Sequence, residues 1–178
     1  HKLLKLATVA SKLFGIASVN RGADIVVVAD PTASSSVISP DMFREFSLPY
    51  IKEILSAVKR TGAIPSLHIC GKTEPILRDM AKSGAMVLEV DSLVDLAKAK
   101  NTVGRHVCLE GNIDPPGILL KRKPSSVTRS AKDCIKRAAA CGGFILSSGC
   151  EVPLDAPIEN LKAMVKAART YGLYKKPK

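Results

Sequence analysis

Ile64-Pro65-Ser66-Leu67-His68-Ile69-Cys70, residues 64–70, is a short apolar run that stops at Gly71. A run of this length bounded by a glycine reads as a buried strand ending in a turn. Side chains two apart on a strand share a face, so His68 and Cys70 project to the same side at its C-terminal end. The same grammar repeats outward in both directions. Residues 25–29, Ile-Val-Val-Val-Ala, form a continuous β-branched run of the kind buried on both faces and stop at Asp30-Pro31. Residues 86–90 predict a third strand ending near Glu89 and Asp91, and 107–110 a fourth running into Gly111-Asn112-Ile113-Asp114. Residues 144–147 predict a fifth, followed by Ser148-Gly149-Cys150-Glu151.

Helical spacing fills the gaps. One helix opens the chain, and 40–60 predicts a second, with Ser39 as cap and Pro49 as the site of a kink. Others are expected over 73–82, 93–100, 126–140 and 157–171, with a frayed tail carrying Lys175, Lys176 and Lys178. Strands that alternate with helices point to a parallel sheet, in an open doubly wound form or as part of a βα barrel. No G-x-G-x-x-G follows the first strand, which argues against dinucleotide binding. Every strand instead ends in groups able to ligate, titrate or hydrogen-bond, the habit of βα barrels. The expected fold is therefore α/β of the TIM-barrel (β/α)8 type. Residues 1–178 read as a single domain, with 1–23 as a helix preceding the first strand.

Composition narrows the function classes. The 178 residues carry a net charge of +11, are 46% hydrophobic and only 4% aromatic, so the core is aliphatic. No apolar run reaches the ~20 residues of a bilayer span, and Lys2, Lys5 and Lys12 interrupt the first one. That stretch reads as an amphipathic helix and not as a secretory signal, which implies a cytoplasmic protein without a membrane partner. The basic residues are dispersed apart from 121–123, with no aromatic interleaving, so they read as a solvated surface and not a nucleic-acid site. Five cysteines are an odd number, which favours reduced thiols over a disulfide framework.

Cys150 ends the fifth strand, which in a closed barrel lies on the same rim as His68 and Cys70. One imidazole and two thiolates are a soft donor set with one tetrahedral position open, the pattern of catalytic zinc. A thiol entering that position would lose its proton to the metal's field and become a nucleophile near neutral pH. H-x-C by itself is a weak motif; three soft donors at strand ends give it weight. Cys108, Cys134 and Cys141 lack that placement and read as core.

The H-x-C pair, the Gly149-Cys150 turn some eighty residues later, Asp30-Pro31 leading to Ile38-Ser39-Pro40, Phe46-Ser47-Leu48-Pro49-Tyr50, and Gly111-Asn112-Ile113-Asp114-Pro115 together resemble the uroporphyrinogen decarboxylase superfamily. Within it they look like the zinc-dependent corrinoid methyltransferases. The resemblance implies an eight-stranded barrel in which His68, Cys70 and Cys150 hold Zn2+. It implies methyl transfer from a methylcobamide, carried by a corrinoid protein, to the thiol of coenzyme M, as in methanogenesis. It also implies a pocket lined by Asp30 and by Ser34 to Ser36, for which turn chemistry is the alternative. Glu110, Asn112 and Asp114 would orient His68 or hold substrate, or else cap loops. Family barrels have about twice this length, and the five strands here resemble the last five of eight. The chain on this reading is a fragment, inactive alone, or pairs with a second chain that completes the barrel. The competing functions are uroporphyrinogen decarboxylation and a non-catalytic barrel remnant that binds a partner chain.

Overall fold

The computed structural model describes residues 1–174. Its five strands form one parallel sheet in the order β1-β2-β3-β4-β5, and helical segments follow the strands. The chain divides into two compact units, the first ending at Leu88 and the second starting at Glu89.

The first unit holds α1 (Lys2–Asn20), β1 (Ile25–Ala29), α2 (Pro40–Met42), α3 (Leu48–Arg60), β2 (Ile64–Ile69) and α4 (Leu77–Ala81). β3 (Val87–Val90) begins there. Helix α3 buries Ile51, Ile54, Leu55, Ala57 and Val58, the stripe expected of a helix lying on a sheet. Ser39 caps α2 by accepting the Met42 N–H at 3.2 Å. The kink expected at Pro49 is a π-helical turn over Phe43–Ser47, directly before α3. Proline has no N–H for the preceding turn, and the helix widens there.

β1 departs from expectation. Its exposure alternates, with Ile25 at 47% and Val27 at 48%, so it is covered on one face only. Parallel β1 and β2 register Val27 beside Ser66 and Ala29 beside His68. In a closed barrel that face is filled by side chains from the other strands, and five strands do not surround it. Helix α1 likewise buries only Thr8 and Gly15 while Leu3, Leu6, Leu13 and Phe14 are exposed. By length and composition alone α1 also meets the minimum for a bilayer crossing.

The second unit holds α5 (Leu96–Val103), β4 (Cys108–Ile113), α6 (Pro124–Ala138), β5 (Phe144–Ser148) and α7 (Ile158–Tyr171). Helix α5 starts later than expected because Asp95 is the cap, accepting the Lys98 N–H at 2.9 Å. β4 runs through Gly111 and Asn112, which reading by turn residues had placed in a loop. A π-helical turn over Pro115–Leu120 was not expected; Asp114 starts it by accepting the Gly117 N–H at 3.0 Å. Asn160 on α7 is fully buried and donates to the carbonyls of Leu119 and Arg122, both at 2.7 Å, tying α7 to that turn. Cys134 is buried as expected and Cys108 half-buried, but Cys141 is exposed. Helix α6 ends before Cys141, which sits at φ +66° in the turn leading to Gly142. The lysines of the expected frayed tail, at 175, 176 and 178, lie outside the described residues.

Candidate metal centre

In the first unit, β2 delivers His68 and Cys70 as its alternation requires. Ile69 between them is fully buried on the other face, and the His68 Nε2 and Cys70 Sγ atoms lie 3.1 Å apart. Zinc bonds of about 2.1 Å to nitrogen and 2.3 Å to sulfur place two tetrahedral ligands roughly 3.5 Å apart, so the pair suits a shared soft cation. Gly71, two residues beyond β2, turns the chain at φ +77°, and a Cβ there would stand 2.8 Å from Ser34 Oγ and 2.9 Å from Ser36 Oγ. Glycine therefore permits both the turn and the close approach of the loop after β1.

That loop is stitched to the residues beyond Cys70. The Ser35 N–H donates to Lys72 O, the Lys72 N–H to Ser36 Oγ, and the Ser36 N–H to Ser34 Oγ, all at 3.1 Å. Asp30 donates its N–H to His68 O at 3.1 Å, while its carboxylate accepts the Thr32 hydroxyl at 2.8 Å. Ser34 is 2% exposed. Asp30 and Ser34 thus hold the loop beside the His68–Cys70 pair. Thr73, three residues past Cys70, is fully buried and was not singled out in the sequence, because Thr-Glu-Pro reads as a helix start.

In the second unit, Cys150 follows β5 and is half-buried. Gly149 before it donates its N–H to Ile113 O at 2.8 Å, and a Cβ at Gly149 would meet Ser92 Cα and Cβ at 2.9 Å. Only glycine lets the β5 turn pass the backbone of the β3 loop. Asn112 spends its amide on the same loop, donating to Asp91 O at 3.0 Å and Val94 O at 2.9 Å, while its Oδ1 accepts the Cys134 thiol at 3.8 Å. Asp114 caps the π-helical turn. Glu110 is different. Half-burial pushes its carboxyl above the ordinary carboxylate range, the neighbouring Glu89 adds to the shift, and a hydrogen bond with Ser147 opposes it. Burial also pushes the Cys108 and Cys134 thiols up, keeping them protonated and poor as metal ligands. Glu151, beside Cys150, is exposed.

Residues 1–171 match the family described as Uroporphyrinogen decarboxylase (URO-D). The chain belongs to that family. It is 35% identical over 173 residues to the methylcobamide:CoM methyltransferase MtaA of Methanosarcina barkeri, covering 96% of this chain and 49% of that protein. It is 32% identical to the uroporphyrinogen decarboxylase of Chlorobaculum parvum, covering 93% of this chain and 47% of that protein. Among solved structures, a methyltransferase from Methanosarcina mazei superposes with a TM-score of 0.86 at 34% identity, covering 95% of this chain and 48% of the other.

The chain spans about half the length of the curated relatives it matches. URO-D membership makes the five βα units part of a TIM-type barrel, which accounts for the polar residues at each strand end and for the open face of β1.

Proposed function

We propose that this protein moves a methyl group from a methylated corrinoid, carried by a partner protein, to a thiol such as coenzyme M. On this reading His68, Cys70 and Cys150 hold one zinc ion. The observation that carries it is the His68–Cys70 pair, whose Nε2 and Sγ lie 3.1 Å apart, with Cys150 as the third donor this reading calls for. Two thiols and an imidazole suit zinc and disfavour magnesium or calcium. Bound there, the ion would lower the pKa of a ligating thiol, whose ordinary value near 8.5 leaves it mostly protonated at neutral pH.

The chain's own residues do the rest. The strand alternation of β2 fixes the direction of His68 and Cys70, and the Asp30 N–H holds the backbone at His68. Asn112, Asp114 and Gly149 keep the loops after β3, β4 and β5 in place, which positions Cys150. Glu110, whose carboxyl half-burial pushes above the ordinary range, is suited to hold a proton. A corrinoid protein, an acceptor thiol and, where the chain works as a half barrel, a second polypeptide are the partners this reading needs.

Metal analysis and methyl transfer from methylcobalamin to coenzyme M by the full-length protein test the proposal together. About one zinc per protein, loss of transfer on chelation and recovery with zinc are expected. Full transfer by metal-free protein would overturn it. Relatives that are decarboxylases support a second reading, metal-independent decarboxylation of a porphyrinogen. Turnover of uroporphyrinogen by zinc-free protein, with no methyl transfer, would decide for that reading.

A further inference from the structure

In the second unit, helix α6 carries Ser126, Arg129, Ser130 and Asp133, positions that share one side of a helix. With Ile118 of the π-helical turn and Arg122 just beyond it, they line a pocket of about 530 Å³. That volume exceeds a bare phosphate ion and lies within the range of small-molecule sites.

The protein does not balance the charge in this pocket. Asp133, the acid among the six, accepts Arg137 Nε at 2.8 Å. Among the described residues, no hydrogen bond or ion pair engages the guanidinium of Arg122 or Arg129, or the hydroxyl of Ser126 or Ser130. Arg44, by contrast, is paired with Asp41 and Asp79. Lys121 and Lys123 flank Arg122, and Lys123 holds the N-cap position of α6, whose first turn has no acid. Positive side chains there repel one another and oppose the helix dipole, a local cost that a bound anion removes. A carboxylate has two oxygens and is satisfied by one guanidinium fork. A phosphoryl group has three terminal oxygens, enough for two forks and a hydroxyl. Asp133 at the far end of the face repels a second anion, and Ile118 offers an apolar contact, so the rest of the ligand is small and neutral.

We propose that this pocket binds a phosphoryl group, as free phosphate or as a small organic phosphate, through Arg122 and Arg129 with the hydroxyls of Ser126 and Ser130. The site is separate from the methyl-transfer reading and does not depend on it.

Calorimetry on the full-length protein tests this with inorganic phosphate, glycerol 3-phosphate and oligothymidylate as probes. Saturable binding of the first two, in competition with each other, is expected. The tighter of them shows whether the site takes the free ion or an ester. Arg122→Ala and Arg129→Ala should each weaken phosphate binding about tenfold, and Ser126→Ala about threefold. Arg129→Lys should recover only part of the loss, because an ammonium keeps the charge without the fork. Lys166→Ala removes an equal charge from α7, outside the pocket, and should change binding by less than about twofold. Equal losses in Lys166→Ala and Arg129→Ala, or oligothymidylate binding tighter than either phosphate probe, would reveal diffuse charge attraction and overturn the site. So would the absence of saturable phosphate binding up to about 10 mM.

Discussion

The ends of β2 and β4 carry equally polar side chains and use them in opposite ways. At β2, His68 and Cys70 face each other at 3.1 Å, and the loops around them carry two buried hydroxyls that no protein group accepts among the described residues. At β4, the Asn112 amide is divided between two loop carbonyls and a thiol, and Asp114 is committed to a helical turn. A polar residue at a strand end is therefore not by itself a sign of chemistry. Accounting for where each hydrogen bond goes separates the end that holds the fold from the end left able to bind.

The sharpest way to break this contrast is to remove a soft donor. Cys70→Ser or Cys150→Ser should take bound zinc from about one per protein toward none and lower methyl transfer more than ~100-fold, since even partners behind the ligands cost 10–100-fold. Metal analysis alongside a thermal melt checks it; zinc retained in full by both variants would end the comparison.

Asn112→Ala is expected to act on folding instead. Losing two hydrogen bonds to loop carbonyls should lower the unfolding free energy by about 2–3 kcal/mol in urea titration. A variant of unaltered stability but lost substrate binding would move Asn112 to the binding side of the contrast.

The smallest effect belongs to Glu110. Its folded pKa lies above its unfolded value, so its protonated form favours folding at low pH. That contribution is present below the unfolded pKa and fades as pH rises through the folded one. Glu110→Gln should flatten this decline and make the protein slightly more stable than wild type near neutral pH. Denaturant midpoints measured between about pH 4 and 8 would show it, and parallel wild-type and variant profiles would refute the burial argument.

Much of this was legible in the chain. Short apolar runs closed by turn residues marked the strands, although β4 continues through Gly111 and Asn112, and the H-x-C spacing put two donors on one face. The loop serines at 34–36 were legible as a loop but not as a clasp, because their partners at Gly71 and Lys72 come from a distant stretch. The π-helical turn after β4 was hidden because Pro115-Pro116-Gly117 reads as irregular chain, and Asp114 is its cap only once the Gly117 N–H is placed.

Local pattern determined most of the strands and helices and that soft donors stand at the ends of β2 and β5, since those properties depend on neighbours two to four positions apart. Tertiary structure alone decided which polar groups are consumed and which remain: that Asn112 serves Asp91 and Val94, that Gly149 must clear Ser92, and that Thr73 Oγ1 is buried without a partner among the described residues. Hydrogen-bond partners and burial depend on segments far apart in the chain, and no periodicity encodes them.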